Sequence, residues 1–133
     1  MQLRIARHTN DLQIISRFYV ELLGLKILGE FENHDGYNGI LLGPENASWH
    51  LEFTCSKEAP DHHPDEDDLL VFYPQSKEEF EALQQRLLKN GILKQPSKNP
   101  YWNRNGICIS DPDGFPIVIS PQNSITKTGF KSL

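Results

Sequence analysis

Leu3, Ile5 and Arg7 alternate with Arg4, Ala6 and His8, the period-two pattern of a half-buried strand. Apolar residues then recur at helical spacing over Ile14, Ile15, Phe18, Tyr19, Leu22 and Leu23. Asn10 or Asp11 can cap this helix, and Gly24 ends it. Three short strands are expected next, over Lys26–Phe31, Tyr37–Leu42 and Ser48–Thr54, joined by turns at residues 32–36 and 43–46. An acidic loop, Pro60-Asp61-His62-His63-Pro64-Asp65-Glu66-Asp67-Asp68, interrupts the pattern and reads as a solvated connector. Leu69–Tyr73 then reads as a buried strand, and Ser76 with Glu79 forms a capping box for a second helix. That helix places Phe80, Leu83, Leu87 and Leu88 on one face and stops at Asn90-Gly91. Strands are expected again over Ile92–Gln95, Gly106–Ser110 and Phe115–Ser120. The order strand, helix, three strands therefore occurs twice, a duplicated βαβββ unit.

Composition narrows the function classes. The 133 residues suit a single domain of two modules, about 2–56 and about 67–122. Thirteen Lys and Arg against 18 Asp and Glu give a net charge of −5. That balance argues against nucleic acid, which favours a basic face, and against an anionic membrane surface. No apolar run is long enough to span a bilayer, and the N-terminus has no apolar leader segment. Cys55 and Cys108 are too few and too far apart for a disulfide scaffold. A cytoplasmic location is the resulting expectation.

Asp111-Pro112-Asp113-Gly114, with Ile107 and Ile109 before it and Ile117 and Ile119 after it, is a hairpin signal. Together with Arg17-Phe18-Tyr19-Val20-Glu21-Leu22-Leu23-Gly24-Leu25, it resembles the vicinal-oxygen-chelate superfamily of glyoxalases, bleomycin- and fosfomycin-resistance proteins and extradiol dioxygenases. His50-Leu51-Glu52-Phe53-Thr54 and Asn99-Pro100-Tyr101-Trp102-Asn103 are similar to the YycE-type subgroup. The resemblance covers Arg4 to Ser120. It implies an α+β fold of two βαβββ modules that form a curled, half-barrel mixed sheet around a central cleft, with helices outside.

The resemblance also implies where a divalent metal (Zn, Ni, Mn or Fe) would be held. Its first position falls on His8, its second on Glu52, and its third on or near Asp68. The fourth, four residues after the hairpin glycine, is Val118, which cannot ligate. Three ligands and an open position can serve a catalytic ion. Against this, strand alternation puts Arg4 on the face of His8, where its guanidinium could pair with Glu52 and repel a cation.

His50 shares the face of Glu52 and is a candidate acid–base group with it. Tyr101 and Trp102 are expected in a loop, where large aromatics often line a ligand pocket. Asn99, Asn103 and Arg104 beside them offer hydrogen-bond donors. His34 lies in a hairpin turn from which it could reach a ligand.

Three functions are compatible with this pattern. One is a small-molecule binder lacking the full four-ligand metal site, with Tyr101, Trp102, Arg4, His8 and His34 as ligand contacts. Another is a metal-dependent lyase, isomerase or dioxygenase using His8, Glu52 and a ligand near Asp68. The third is a non-enzymatic homodimeric interaction module.

Overall fold

The computed structural model describes residues 1–121, so the expected module end at 122 lies just outside the described residues. The chain forms two compact units, Met1–His63 and a second beginning at Pro64.

In the N-terminal unit, β1 (Leu3–His8) leads to α1 (Leu12–Arg17), a π-helical turn (Phe18–Leu22), β2 (Lys26–His34), β3 (Tyr37–Gly43) and β4 (Trp49–Cys55). Asp11 is the cap, its carboxylate accepting from the N–H groups of Gln13 and Ile14. In the π turn the Leu23 N–H bonds to the Phe18 carbonyl, five residues back. The extra residue rotates the helix so that Phe18, Tyr19 and Leu23 all reach the sheet, while Ile14, expected on the apolar face, is half exposed. Gly24, at φ 85°, ends the helix in the left-handed region.

The sheet order is β1-β4-β3-β2, with β1 parallel to β4 and the other pairs antiparallel. One face packs Ile40, Leu42, Leu51 and Phe53 against Ile15, Phe18 and Tyr19. Arg7 belongs to this helix-covered face, lying 5.0 Å from the Phe53 ring centroid and donating to the Tyr19 hydroxyl at 3.1 Å. β2 runs on to His34, past the expected Phe31, because Asp35-Gly36 makes a two-residue turn with φ of 53° and 87°.

In the C-terminal unit, β5 (Leu70–Phe72) precedes α2 (Lys77–Lys89), α3 (Pro100–Asn105), β6 (Ile107–Ser110) and β7 (Pro116–Ile119). Ser76 caps α2 as expected, and Glu79 returns a bond to the Gln75 N–H. The sheet order is β5-β7-β6, with β5 parallel to β7. Leu83 and Leu87 of α2 are buried, as are Ile107, Ile109, Ile117 and Ile119 of the sheet. The hairpin is held mainly by Asp111, whose carboxylate accepts from the N–H groups of Asp113 and Phe115.

The expected strand over Ile92–Gln95 is not formed. A single bridge from Gln95 to Cys108 stands where β2 stands in the first unit. Pro96 has no N–H with which to extend a ladder. Asn103 then diverts the chain, accepting from the Ser97 N–H at 2.7 Å and donating to the Ser97 carbonyl at 2.9 Å. Nor are Tyr101 and Trp102 in a loop. They lie in α3, which Asn99 caps and Pro100 opens.

Candidate functional site

Alternation leaves Arg4, Ala6, His8, His50, Glu52 and Thr54 on the helix-free face of the N-terminal sheet. The parallel register sets Arg4 beside His50 and Ala6 beside Glu52. The small Ala6 side chain leaves room for Arg4 to reach diagonally along the sheet. Its Nε donates to His50 Nε2 at 2.8 Å, and its Nη1 donates to Glu52 Oε2 at 3.3 Å. A guanidinium is donor-only, so His50 Nε2 is the unprotonated nitrogen and the neutral ring carries its proton on Nδ1. Arg4 is half exposed and the Glu52 side chain is 16% exposed. The pairing is therefore worth about 0.2–1 kcal/mol after solvent screening. Its consequence is more positional than energetic, since it joins three polar side chains into one cluster.

Beyond this cluster the same face turns apolar. Gly39 sits beneath Phe31, and a Cβ there would overlap the phenyl ring. A Cβ on Gly43 would lie 3.2 Å from Leu28 and 3.3 Å from the His50 Cβ. A register shift between Ile27 and Gly29 turns Leu28 towards this face. Leu28, Leu41 and Phe31 thus form an apolar floor beside Arg4, His50 and Glu52. His34 packs edge-on against Phe31, with centroids 6.1 Å apart.

At the end of β1, His8 Nε2 lies 3.1 Å from the Ser56 hydroxyl. His62 Nε2 donates to the His8 carbonyl at 2.6 Å. His62 therefore anchors the connector to the end of β1, where the sequence suggested only solvation. His63 does remain solvent-facing, beside Asp61. The residues between Cys55 and His62 carry no periodicity, so the pattern gave no hint of this contact.

In the C-terminal unit, Asp68 is exposed and its N–H bonds to the Asp65 carbonyl. Val118 is wholly buried, paired with Val71 and Cys108. Burial raises the Cys108 thiol above its ordinary pKa of 9.0, opposed by a weaker hydrogen bond from Gln95. The Tyr101 and Trp102 rings meet edge-on at 4.8 Å. Of the residues expected beside them, Asn99 uses its amide oxygen to cap α3, accepting from the Tyr101 N–H, and Asn103 is engaged at Ser97 as both acceptor and donor. Among the described residues, no group of three or more His, Cys, Asp or Glu side chains could hold a metal ion. No described helix is long and apolar enough to cross a membrane.

The YycE-like N-terminal domain model matches residues 3–54, and the YycE-like C-terminal domain model matches residues 67–121. The YycE protein of Bacillus subtilis is 44% identical over 128 residues, covering 94% of this chain and 91% of that protein. A crystal structure of a Bacillus subtilis YycE protein of unknown function superposes with a TM-score of 0.83 at 43% identity, covering 96% and 93% of the two chains. More distant likenesses show the fold alone. Glyoxalase I of Leishmania major has a TM-score of 0.69 at 22% identity over 90% of this chain and 85% of its own. An antibiotic-binding protein from a Streptomyces species has a TM-score of 0.65 at 22% identity over 90% and 93%. With both halves matched and a relative at this identity along nearly the whole length, the chain belongs to the YycE-like family, within the glyoxalase and bleomycin-resistance fold superfamily.

Proposed function

We propose that this chain is a small-molecule-binding protein that works without the superfamily's full four-ligand metal site, and that the helix-free face of its N-terminal sheet receives the ligand. The observation carrying this reading is that Arg4 pairs with Glu52, while Val118, which the superfamily resemblance assigns to the fourth ligand position, is buried and apolar. A carboxylate with one oxygen accepting from a guanidinium is a poorer partner for a second cation, because the adjacent positive charge repels that cation. The donor set therefore does not fit that metal centre.

The face suits recognition. Arg4 is held at two points, which reduces the entropy lost when it engages a ligand. Phe31, Leu41 and Leu28 offer contact area for an apolar body. His8 and His34 bound the face, and Tyr101 with Trp102 forms a second aromatic contact surface in the C-terminal unit. The antibiotic-binding protein of the same fold provides a precedent for binding rather than chemistry.

The two tryptophans allow each unit to be observed separately, with Trp49 reporting on the N-terminal unit and Trp102 on the C-terminal one. Fluorescence titration of the Trp102→Phe variant against a panel of metabolites and antibiotics should find a saturable ligand seen by Trp49, with weaker binding in Arg4→Gln. A stoichiometric metal retained by tag-free protein, and lost in both His8→Ala and Glu52→Gln, would overturn the reading.

A further inference from the structure

The missing strand of the C-terminal unit leaves a groove on the helix-covered side of its sheet. In the first unit β2 closes the corresponding edge of β3 along most of its length. In the second, only Gln95 reaches β6. The chain leaves α2 through Gly91, at φ 72°, with the Ile92 N–H bonded to the Leu87 carbonyl. It then runs past β6 without pairing until Gln95. The result is a groove of about 380 Å³ between α2 and β6, floored by Ile107 and Ile109. Leu88 and Leu93 stand at its mouth, 68% and 78% exposed, and Lys94 lies on its lining. Among the described residues Lys94 has no ionic partner.

We propose that this groove binds an amphipathic monoanion, an alkyl chain ending in a carboxylate, with the chain along Ile107 and Ile109 and the carboxylate at Lys94. The volume falls within the range of small-molecule pockets, about 300–1,000 Å³. Among the described residues, the apolar floor and the one lining cation without an ionic partner are the complement of one hydrocarbon chain with one negative end. A second copy of the chain is a poorer match. A stable dimer needs roughly 20–30 residues a side, and here two exposed leucines flank a narrow slot. The groove lies on the opposite face of its sheet from Cys108 and Val118, so this binding goes beyond the reading proposed above and does not depend on it.

The test uses the full-length protein labelled with ¹⁵N and titrated with decanoate and with 1-decanol. Decanoate should shift the amide signals of Leu88, Leu93 and Ile107 saturably. Leu93→Glu, a change at an exposed site that leaves the fold intact, should weaken binding by about tenfold or more, since it puts a carboxylate against the ligand's own. Lys94→Gln should weaken decanoate by about two- to fivefold, as expected for one exposed ion pair, and leave decanol unchanged. Absence of saturable shifts at these amides would overturn the proposal. So would equal loss of decanoate and decanol in Lys94→Gln. A dimer in sedimentation that Leu93→Glu converts to monomer would assign the groove to a second copy instead and would equally overturn it.

Discussion

Replacing Asn103 with alanine should release the segment that stands in place of the fourth strand. The Asn103 side chain makes both hydrogen bonds that a neighbouring strand would have offered Ser97, one accepted from its N–H and one donated to its carbonyl. Ser97 is 8% exposed, so water cannot readily take over either bond. Each bond is worth about 0.5–1.5 kcal/mol net, and an unpaired buried group costs more. Against that, alanine suits the middle of α3 better than asparagine by about 0.5 kcal/mol. The expected loss is about 1–2.5 kcal/mol in urea denaturation. The more specific readout is hydrogen exchange. The Ser97 amide should lose its protection in Asn103→Ala, while the amides of β6 and β7, held by their own ladder, should keep theirs. If Ser97 stayed as protected as in the parent, the clamp would not be what diverts the chain, and Pro96 alone would have to account for the lost strand.

Gly106→Ala should destabilise by about 1–3 kcal/mol through overpacking, because a Cβ there meets the Ile119 backbone carbonyl oxygen at 2.6 Å; a denaturation midpoint unchanged from the parent would refute this. Cys108 holds its proton more tightly folded than unfolded, so its contribution is complete below pH 9.0 and is lost as pH rises through the folded value. Urea midpoints should therefore fall more between about pH 8 and pH 10 in the parent than in Cys108→Ala. In a double-mutant cycle, Arg4→Met and Glu52→Gln should couple by about 0.2–1 kcal/mol. A coupling above about 2 kcal/mol would mean that the pair is far better shielded from water than its exposure indicates.

The duplicated layout was legible because each element carries its own periodic signal and its own stop. Gly24, Gly91 and the Asp111-Pro112-Asp113-Gly114 turn each need a conformation or side-chain bond that few other residues supply. The lost strand was not legible, since Ile92–Gln95 has suitable residues for a strand. What prevents it is a side chain, Asn103, whose partner lies six positions away across an unpatterned segment. The brief helix α3 was missed for a different reason. Six residues are too short for an apolar stripe, although Asn99-Pro100 is itself a helix-start signal. Alternation alone set Arg4, His8, His50 and Glu52 on one face. Only the parallel register showed that Arg4 reaches both His50 and Glu52, and that Ala6 makes the space for it.

The two halves share a strand order but solve the same edge differently, and the difference separates their chemistry. In the first half β2 pairs along the edge of β3, Ile40, Leu42 and Leu51 are buried under the helix, and the polar cluster is left on the helix-free face. In the second half the clamp at Ser97 turns the equivalent segment away, exposing Leu93 and opening the floor of Ile107 and Ile109 on the helix-covered side. A sheet edge that is neither paired nor blunted by charge is a liability in solution. Here Pro96 removes one donor and Asn103 pairs both backbone groups of the next residue, so the segment is ended with the Ser97 N–H and carbonyl satisfied. Such an arrangement costs two side-chain hydrogen bonds to maintain where a ladder would have sufficed. The expectation follows that restoring strand character, for example by Pro96→Val in the Asn103→Ala background, would close the groove without disturbing Arg4, His50 or Glu52, and so would separate the two proposed binding faces experimentally.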